Sequence, residues 1–345
     1  MLKIKIIVSM LLTVFIATAF ICYQPPHKLT YLQLVIPKGW PKPPTNIFAS
    51  NPLTEEGFQL GRKLFYDARL SKDSNFSCAG CHQQFAAFAT YDHDFSHGFN
   101  NSFTTRNAPG LFNLAWQKEL HWDGGINHIE VQPLSPLTAA NEMATSLPEI
   151  LKKLKADTTY IRLFKNTFAD GIINSQHLLK SLAQFTGSIQ SYNSKYDKVK
   201  RGEAIFTTSE AVGYKIFLTS CNSCHKEPLF TDNSFRNNGL SLNEKLMDMG
   251  RMSITGKPAD SLKFKVPSLR NVSLTFPYMH DGRFVSLGKV IDHYRSSIDT
   301  TQPSLDKLLK KKIPISNQEK VDLISFLLTL KDDTMTHDGR FKQPD

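Results

Sequence analysis

The sequence offers almost no spare thiol. Its 345 residues include five cysteines, and four of these stand in two matching frames, Cys78-Ala79-Gly80-Cys81-His82 and Cys221-Asn222-Ser223-Cys224-His225. The fifth, Cys22, belongs to what reads as a leader, so a processed chain keeps no thiol outside the two frames. Dense Lys/Arg blocks are absent too. A formal charge of +10 spread in this way points to an acidic docking partner and excludes tracking along nucleic-acid phosphates. No run of alternating apolar and polar residues marks a strand, which leaves helices as the expected elements. The apolar fraction, 41%, is slightly low for a globular chain, a shortfall that a large apolar macrocycle in each core would make good.

Cys-x-x-Cys-His is the attachment signature of c-type haem: the thiols add to the haem vinyl groups and the adjacent imidazole becomes the proximal iron ligand. Cys78, Cys81, Cys221 and Cys224 are the expected attachment points, with His82 and His225 on the two irons. The competing readings are a thioredoxin-like redox pair and a tetrahedral zinc site built from both pairs. A histidine directly after the second cysteine, present twice, favours two haems, and the chain is long enough for two domains to hold them.

Residues 1–23 combine a basic start, an apolar run from Ile6 to about Ile16 and the small set Ala17-Thr18-Ala19, the pattern of a cleaved secretory signal. An uncleaved anchor is the alternative, since the run can be stretched to Tyr23. A lipid anchor on Cys22 is disfavoured by the bulk of Ile21. Each reading places the bulk of the chain in the periplasm. Residues 24–50 are rich in proline (Pro25, Pro26, Pro37, Pro41, Pro43, Pro44) and are expected to form an extended arm.

Helices are expected over residues 54–66, after the capping box Ser146-x-x-Glu149, over 175–192, over 286–294, and after a second box Ser316-x-x-Glu319. Two echoes link the halves. Leu60-Gly61-Arg62-Lys63-Leu64-Phe65 matches Val212-Gly213-Tyr214-Lys215-Ile216-Phe217, with glycine where a helix must pass close to a neighbour or a macrocycle. Pro109-Gly110-Leu111-Phe112-Asn113 leads to Trp122-Asp123-Gly124 at the same separation as Pro267-Ser268-Leu269-Arg270-Asn271 leads to His280-Asp281-Gly282. The expected fold is therefore all-α: two cytochrome c-like haem domains from an internal duplication, residues 51–195 and 196–335, with an extended N-terminal arm and a tail at 336–345. The boundary falls in the charged segment Ser194–Gly202.

The halves differ at the sixth iron position. On the helical face of Leu287, Val290 and Ile291, Tyr294 points inward and can cap the second iron; Met279 is the alternative. The same distance on from Asp123 lies Pro136, which has no ligand atom. An open iron is where chemistry occurs, so the first haem is the candidate catalytic centre. Near Pro136, Glu142 could move a proton on hydrogen peroxide and Gln132 could orient it. The competing reading of Glu142 is a solvated loop carboxylate.

These motifs, together with Arg106-Asn107-Ala108-Pro109, Glu142-Met143 and Pro277-Tyr278-Met279-His280-Asp281-Gly282, resemble the bacterial di-haem cytochrome c peroxidase family, including its MauG-like branch, from about residue 51 to 332. The resemblance implies a peroxidatic N-terminal haem and a C-terminal haem fed by a small donor, a cytochrome c or a cupredoxin. It makes Gln132 and Glu142 the peroxide-handling pair and sets Trp122 on the electron path. It gives one calcium ion between the domains to the Asn107 side chain and the Thr275 and Pro277 carbonyls. His97 matches a loop histidine that caps the first iron until reduction. Tyr294 matches the MauG-like branch, and a phenolate lowers the potential that methionine would raise. The tryptophan which that branch carries just before the second motif is absent; Leu218-Thr219-Ser220 stands there.

The leading expectation is a periplasmic peroxidase reducing hydrogen peroxide. The alternatives are a MauG-like oxidase that uses peroxide on a protein or organic substrate, and a plain di-haem electron carrier. A homodimer and a membrane anchor stay open.

Overall fold

The computed structural model describes residues 28–344. The leader with Cys22, and Pro25 and Pro26, lie outside the described residues. Among those described, no helix is long and apolar enough to cross a membrane. Residues 28–50 contain no helix and run along the first half, with Leu32 N donating to Leu53 O at 2.9 Å and Trp40 set edge-on to Trp116.

Counting helices of six residues or more, α1 is Glu55–Tyr66, α2 Leu147–Lys155, α3 Thr158–Thr167, α4 Ser175–Ser188, α5 Lys195–Lys200, α6 Thr208–Ser220, α7 Leu287–Asp292 and α8 Asn317–Leu328. Among the described residues, strand is confined to a two-residue antiparallel pair, β1 (Phe235–Arg236) and β2 (Phe264–Lys265). The helix starts follow from the caps. Thr54 caps α1, and full capping boxes open α2 (Ser146, Glu149) and α8 (Ser316, Glu319). Two further boxes open α5 (Ser194, Asp197) and α6 (Thr207, Glu210).

Two apolar clusters organise the chain. Around α1 and α4 lie Phe58, Leu60, Leu64, Phe65, Phe88, Leu178, Leu182 and Phe185. Around α6 and α8 lie Tyr196, Phe217, Phe230, Leu323, Phe326 and Leu327. Each helix pair crosses at a glycine. A Cβ on Gly61 would collide with the Ser181 carbonyl, and one on Gly213 with the Asp322 carbonyl, so in both pairs the close neighbour is a helix backbone.

Three expectations need correction. The helix expected to reach residue 192 stops at Ser188. Asn113 and Asp332 capture the following backbone: Asn113 Nδ2 donates to Ser191 O at 3.0 Å, and Asp332 Oδ2 accepts from Tyr192 N at 2.8 Å and Asn193 N at 2.9 Å. The α-helix expected over 286–294 ends at Asp292 and continues as a π turn, His293–Ser297. The segment expected to be a tail is part of the first core: Phe341 is 4% exposed and packs on Phe58, Phe88 and Phe185. The domain boundary is expected in the charged stretch at 194–202. Tyr196 and Asp197 are buried there, and Asp197 forms a two-pronged ion pair with fully buried Arg270 at 2.8 Å on each arm.

Candidate active site at the two Cys-x-x-Cys-His motifs

Cys78–Cys81 forms a single helical turn, with His82 N donating back to Cys78 O at 2.9 Å. The His82 Nδ1 lies 2.7 Å from Phe88 O. A carbonyl only accepts, so Nδ1 carries the proton and Nε2 presents its lone pair. Burial lowers the His82 pKa to about 4, keeping the ring neutral. The second motif repeats this arrangement: His225 N donates to Cys221 O at 2.9 Å, and Nδ1 lies 3.2 Å from Phe230 O and 3.1 Å from Pro267 O. Both imidazoles are thereby fixed in the tautomer an iron needs, and each follows two thiols on the same turn of chain, so the residues fit haem c.

The competing readings do not fit. Burial pushes the Cys78 and Cys221 thiols up to about 12, the opposite of the thiolate environment of a redox pair. No group of three or more His, Cys, Asp or Glu among the described residues is placed as a metal cage, so the two pairs do not combine into a zinc site.

Beside the first motif, the Glu142 carboxyl is partly buried, and its charge is felt at both Cys78 and Cys81. Burial, with no cation or donor among the described residues to offset it, holds this carboxyl above the usual carboxylate range. That argues against the solvated-loop reading. Gln132 Nε2 lies 3.3 Å from Nε2 of His121, a partly buried imidazole. Pro136 is in the short helix Leu134–Thr138 next to them. His97 is on the surface, its ring 4.6 Å from Phe103 and 5.5 Å from His93.

At the second motif the structure brings the two alternative ligands together. Asn238 Nδ2 is 3.5 Å from the Tyr294 hydroxyl and 3.6 Å from Met279 Sδ. Burial pushes the Tyr294 phenol up, the Asn238 hydrogen bond opposes it, and the nearby Cys221 and Cys224 add to the rise.

Between the motifs, Trp122 Nε1 donates to Asn107 O at 2.9 Å, and Asn107 N donates to His280 O at 2.8 Å. The Trp122 carbonyl accepts from Lys265 N at 2.7 Å. Trp122 thus stands at the junction of the halves. Arg106 reinforces it, bonding Asp123 at 2.5 Å and Asp248 at 2.6 Å. The Asn107 amide nitrogen is engaged by the His93 and Asp94 carbonyls, both at 3.2 Å. Among the described residues its Oδ1 and the Thr275 and Pro277 carbonyls accept no hydrogen bond, which leaves three oxygens of the kind calcium takes.

Comparisons with known proteins decide the family. The profile described as di-haem cytochrome c peroxidase matches residues 55–205. The methylamine utilization protein MauG of Methylorubrum extorquens is 35% identical over 288 residues, covering 82% of this chain and 80% of that protein. The chain belongs to the di-haem cytochrome c peroxidase family. As such it is a haem-dependent oxidoreductase of the peroxidase and MauG kind. Cytochrome c551 peroxidase of Nitrosomonas europaea is 32% identical over 261 residues, 71% of this chain and 75% of that protein. A solved structure of a MauG-like protein associated with microbial copper homeostasis matches with a TM-score of 0.84 at 33% identity, over 91% of this chain and 99% of that one.

Within this member of the family, the sequence-based reading missed His121 and Lys265. His121 could have been found by moving the comparison of the halves one residue before Trp122, where it stands opposite Met279. Lys265 carried no signal. Its ammonium group is enclosed by Gln117 Oε1 at 2.6 Å and Glu119 O at 2.9 Å, and burial lowers its pKa to about 8.

Proposed function

We propose that this protein is a periplasmic peroxidase that reduces hydrogen peroxide to water beside the first motif, using electrons passed singly through the second from a small redox protein such as a cytochrome c or a cupredoxin. The observation that carries the reading is Glu142, an unpaired, partly buried carboxyl beside Cys78 and Cys81 whose pKa is raised by burial alone. Haem iron, when bound through His82, supplies a site for peroxide and exchanges electrons one at a time. Glu142 takes the proton from the near oxygen and returns it to the departing one, and two electrons with two protons turn one peroxide into two waters. A carboxyl lifted toward the working pH is suited to both halves of that transfer. Gln132 holds the peroxide by its amide. Trp122, bonded to both halves through Asn107 and Lys265, lies on the route between the motifs.

Further parts of the reading rest on matching geometry. Asn113 and Asn271 are both left-handed, with φ of 55° and 58°, and their amides bond to Ile189 O and Leu330 O at 2.9 and 3.0 Å. This supports an internal duplication, with haem domains at 51–195 and 196–335. Asn107 Oδ1 with the Thr275 and Pro277 carbonyls would hold calcium at the junction.

A second reading, a MauG-like oxidase drawing electrons from a protein or organic substrate, is favoured by Tyr294 beside the second motif. A phenolate ligand lowers the potential and weakens entry from a cytochrome. The test is peroxide turnover by the holoprotein with reduced cytochrome c, wild type against Glu142→Gln. A loss of about 10²–10⁴-fold with unchanged haem content is expected. Negligible wild-type turnover, with peroxide still altering the haem spectrum, would move the assignment to the oxidase.

A further inference from the structure

The formal charge of +10 is thinly spread, with one short concentration: Lys307, Lys310, Lys311 and Lys312 share a six-residue stretch of one loop in the second half. All four are exposed, and so is Leu308 among them, at 56%. Among the described residues, the lysines paired with carboxylates are Lys195, Lys200, Lys263, Lys320 and Lys331, so these four carry their charge uncompensated. The carboxylates of the same loop are engaged elsewhere. Asp299 accepts from Thr301 N at 3.0 Å and Gln302 Nε2 at 3.2 Å, and Asp306 accepts from Leu308 N at 2.9 Å and Arg236 Nη1 at 2.8 Å. Cations flanking an exposed leucine give a charged rim with an apolar centre, the make-up of a protein docking surface. One leucine buries too little apolar area to hold a membrane.

The loop is fixed to the second motif on two sides. Leu305 and Leu309 are buried with Ile298 against Tyr294, and Ile313 N donates to Tyr294 O at 3.1 Å. On the other side Arg236, on β1, pairs with Asp306 at 2.8 Å and with Asp232 at 2.7 Å, and Asp232 N donates to Cys224 O at 2.9 Å. The charges of Arg236, Asp306 and Asp232 are all felt at Cys224. The lysines therefore stand on a frame that joins the second Cys-x-x-Cys-His turn to the segment carrying Tyr294.

We propose that Lys307, Lys310, Lys311 and Lys312, flanking Leu308, form the docking surface for an acidic redox protein and select the partner of the second motif by the sign of its charge. This rests on the reading that electrons enter through that motif. A hydrated ammonium on a flexible stem steers an oppositely charged partner from a distance, and Leu308 gives the encounter an apolar centre to close on. A basic partner meets like charge at the same surface and is turned away.

Electron entry into the ferric holoprotein, followed by stopped-flow absorbance without peroxide, tests the assignment. The probes are a reduced acidic cytochrome c, a reduced basic cytochrome c, and photoreduced deazaflavin, a small neutral donor that needs no docking surface. At about 10 mM ionic strength the acidic cytochrome should reduce the wild type about tenfold or more faster than it reduces the variant Lys307→Glu/Lys310→Glu/Lys311→Glu/Lys312→Glu. Salt at about 1 M should erase that difference. The basic cytochrome should show the reverse order, deazaflavin should reduce both alike, and Lys152→Glu/Lys155→Glu on α2 should behave as wild type. Glutamine at the same four positions should give a smaller loss of the same sign if charge reversal prevents haem loading. Equal rates in wild type and variant, with the wild type reduced, overturn the surface alone. Reduction of the wild type by deazaflavin but by neither cytochrome overturns the entry reading and the surface with it. If the four lysines instead govern sedimentation with phosphatidylglycerol vesicles and leave the cytochrome rates alike, the surface belongs to a membrane and the proposal fails.

Discussion

The first half and the second half share a frame and differ in what the frame holds. Both cross their main helices at a glycine against a backbone carbonyl, both turn at a left-handed asparagine, and both tie the motif histidine to the carbonyl of a left-handed phenylalanine, Phe88 or Phe230. At matching positions, however, Phe112 corresponds to Arg270, His121 to Met279, Trp122 to His280 and Pro136 to Tyr294. The shared positions are those where the backbone itself is constrained, by close approach or by φ. The divergent ones differ in side-chain chemistry, with Arg270 in a buried ion pair and Trp122 at the junction. A frame set by backbone demands leaves such side chains free to specialise, and here one side gains a carboxyl and an imidazole while the other gains a phenol and a thioether.

The comparison can be broken most sharply at the middle residue of the Leu-x-Asn turns. Arg270→Met should destabilise the holoprotein by about 3–5 kcal/mol, because Asp197 would stay buried without its partner. At the matching apolar site Phe112→Met should cost under about 1.5 kcal/mol. Urea unfolding of both variants reads the contrast, and equal losses would show that the buried pair is not specific to the second half.

A smaller effect is expected at the two helix crossings. Were the space open, Gly61→Ala and Gly213→Ala would stabilise their helices by roughly 0.5–1 kcal/mol. Against the carbonyls of Ser181 and Asp322 each should instead destabilise by about 1–3 kcal/mol. The sign in thermal or urea melts decides it, and opposite signs at the two sites would end the correspondence between α1/α4 and α6/α8.

The finest test is the pH dependence of Arg270→Met. In the wild type, burial works to raise the Asp197 pKa, but the hydrogen bonds and charge of Arg270 hold it below the usual range. A depressed carboxyl contributes stability above its unfolded pKa, and that contribution is lost as pH falls through the folded value. In the variant only the Ser194 hydrogen bonds still oppose burial, so the protonated acid is favoured more than in the wild type. The stability gap between wild type and variant should therefore narrow as pH falls from the variant's folded Asp197 pKa to the lower one of the wild type. A gap that stays constant between neutral and acid pH would mean the ion pair is not its source.

Much of this is legible in the order of residues alone. The boxes at Ser146 and Ser316 and the glycines of the paired segments are local signals, and the local structure they describe is what the chain adopts. The boxes at Ser194 and Thr207 are equally readable and mark α5 and α6 as firmly. What the sequence withholds is tertiary. The end of α4 is set by Asn113 and Asp332, residues distant along the chain. The π turn that carries Tyr294 has no local marker. The same holds for Arg270: its place in a repeated motif is visible, but the partner that makes its burial tolerable is not.

Phe341 gives the molecule an order in time. The first core is made of residues synthesised early, yet the face shared by Phe58, Phe88 and Phe185 is closed by a ring that arrives after the whole second half has been delivered. Arg62 and Tyr66 on α1 likewise bond to the carbonyls of Arg340 and Phe341, at 2.9 and 2.7 Å. A domain that usually folds as it emerges must here wait for the end of the second. The half that is made first is therefore the one completed last.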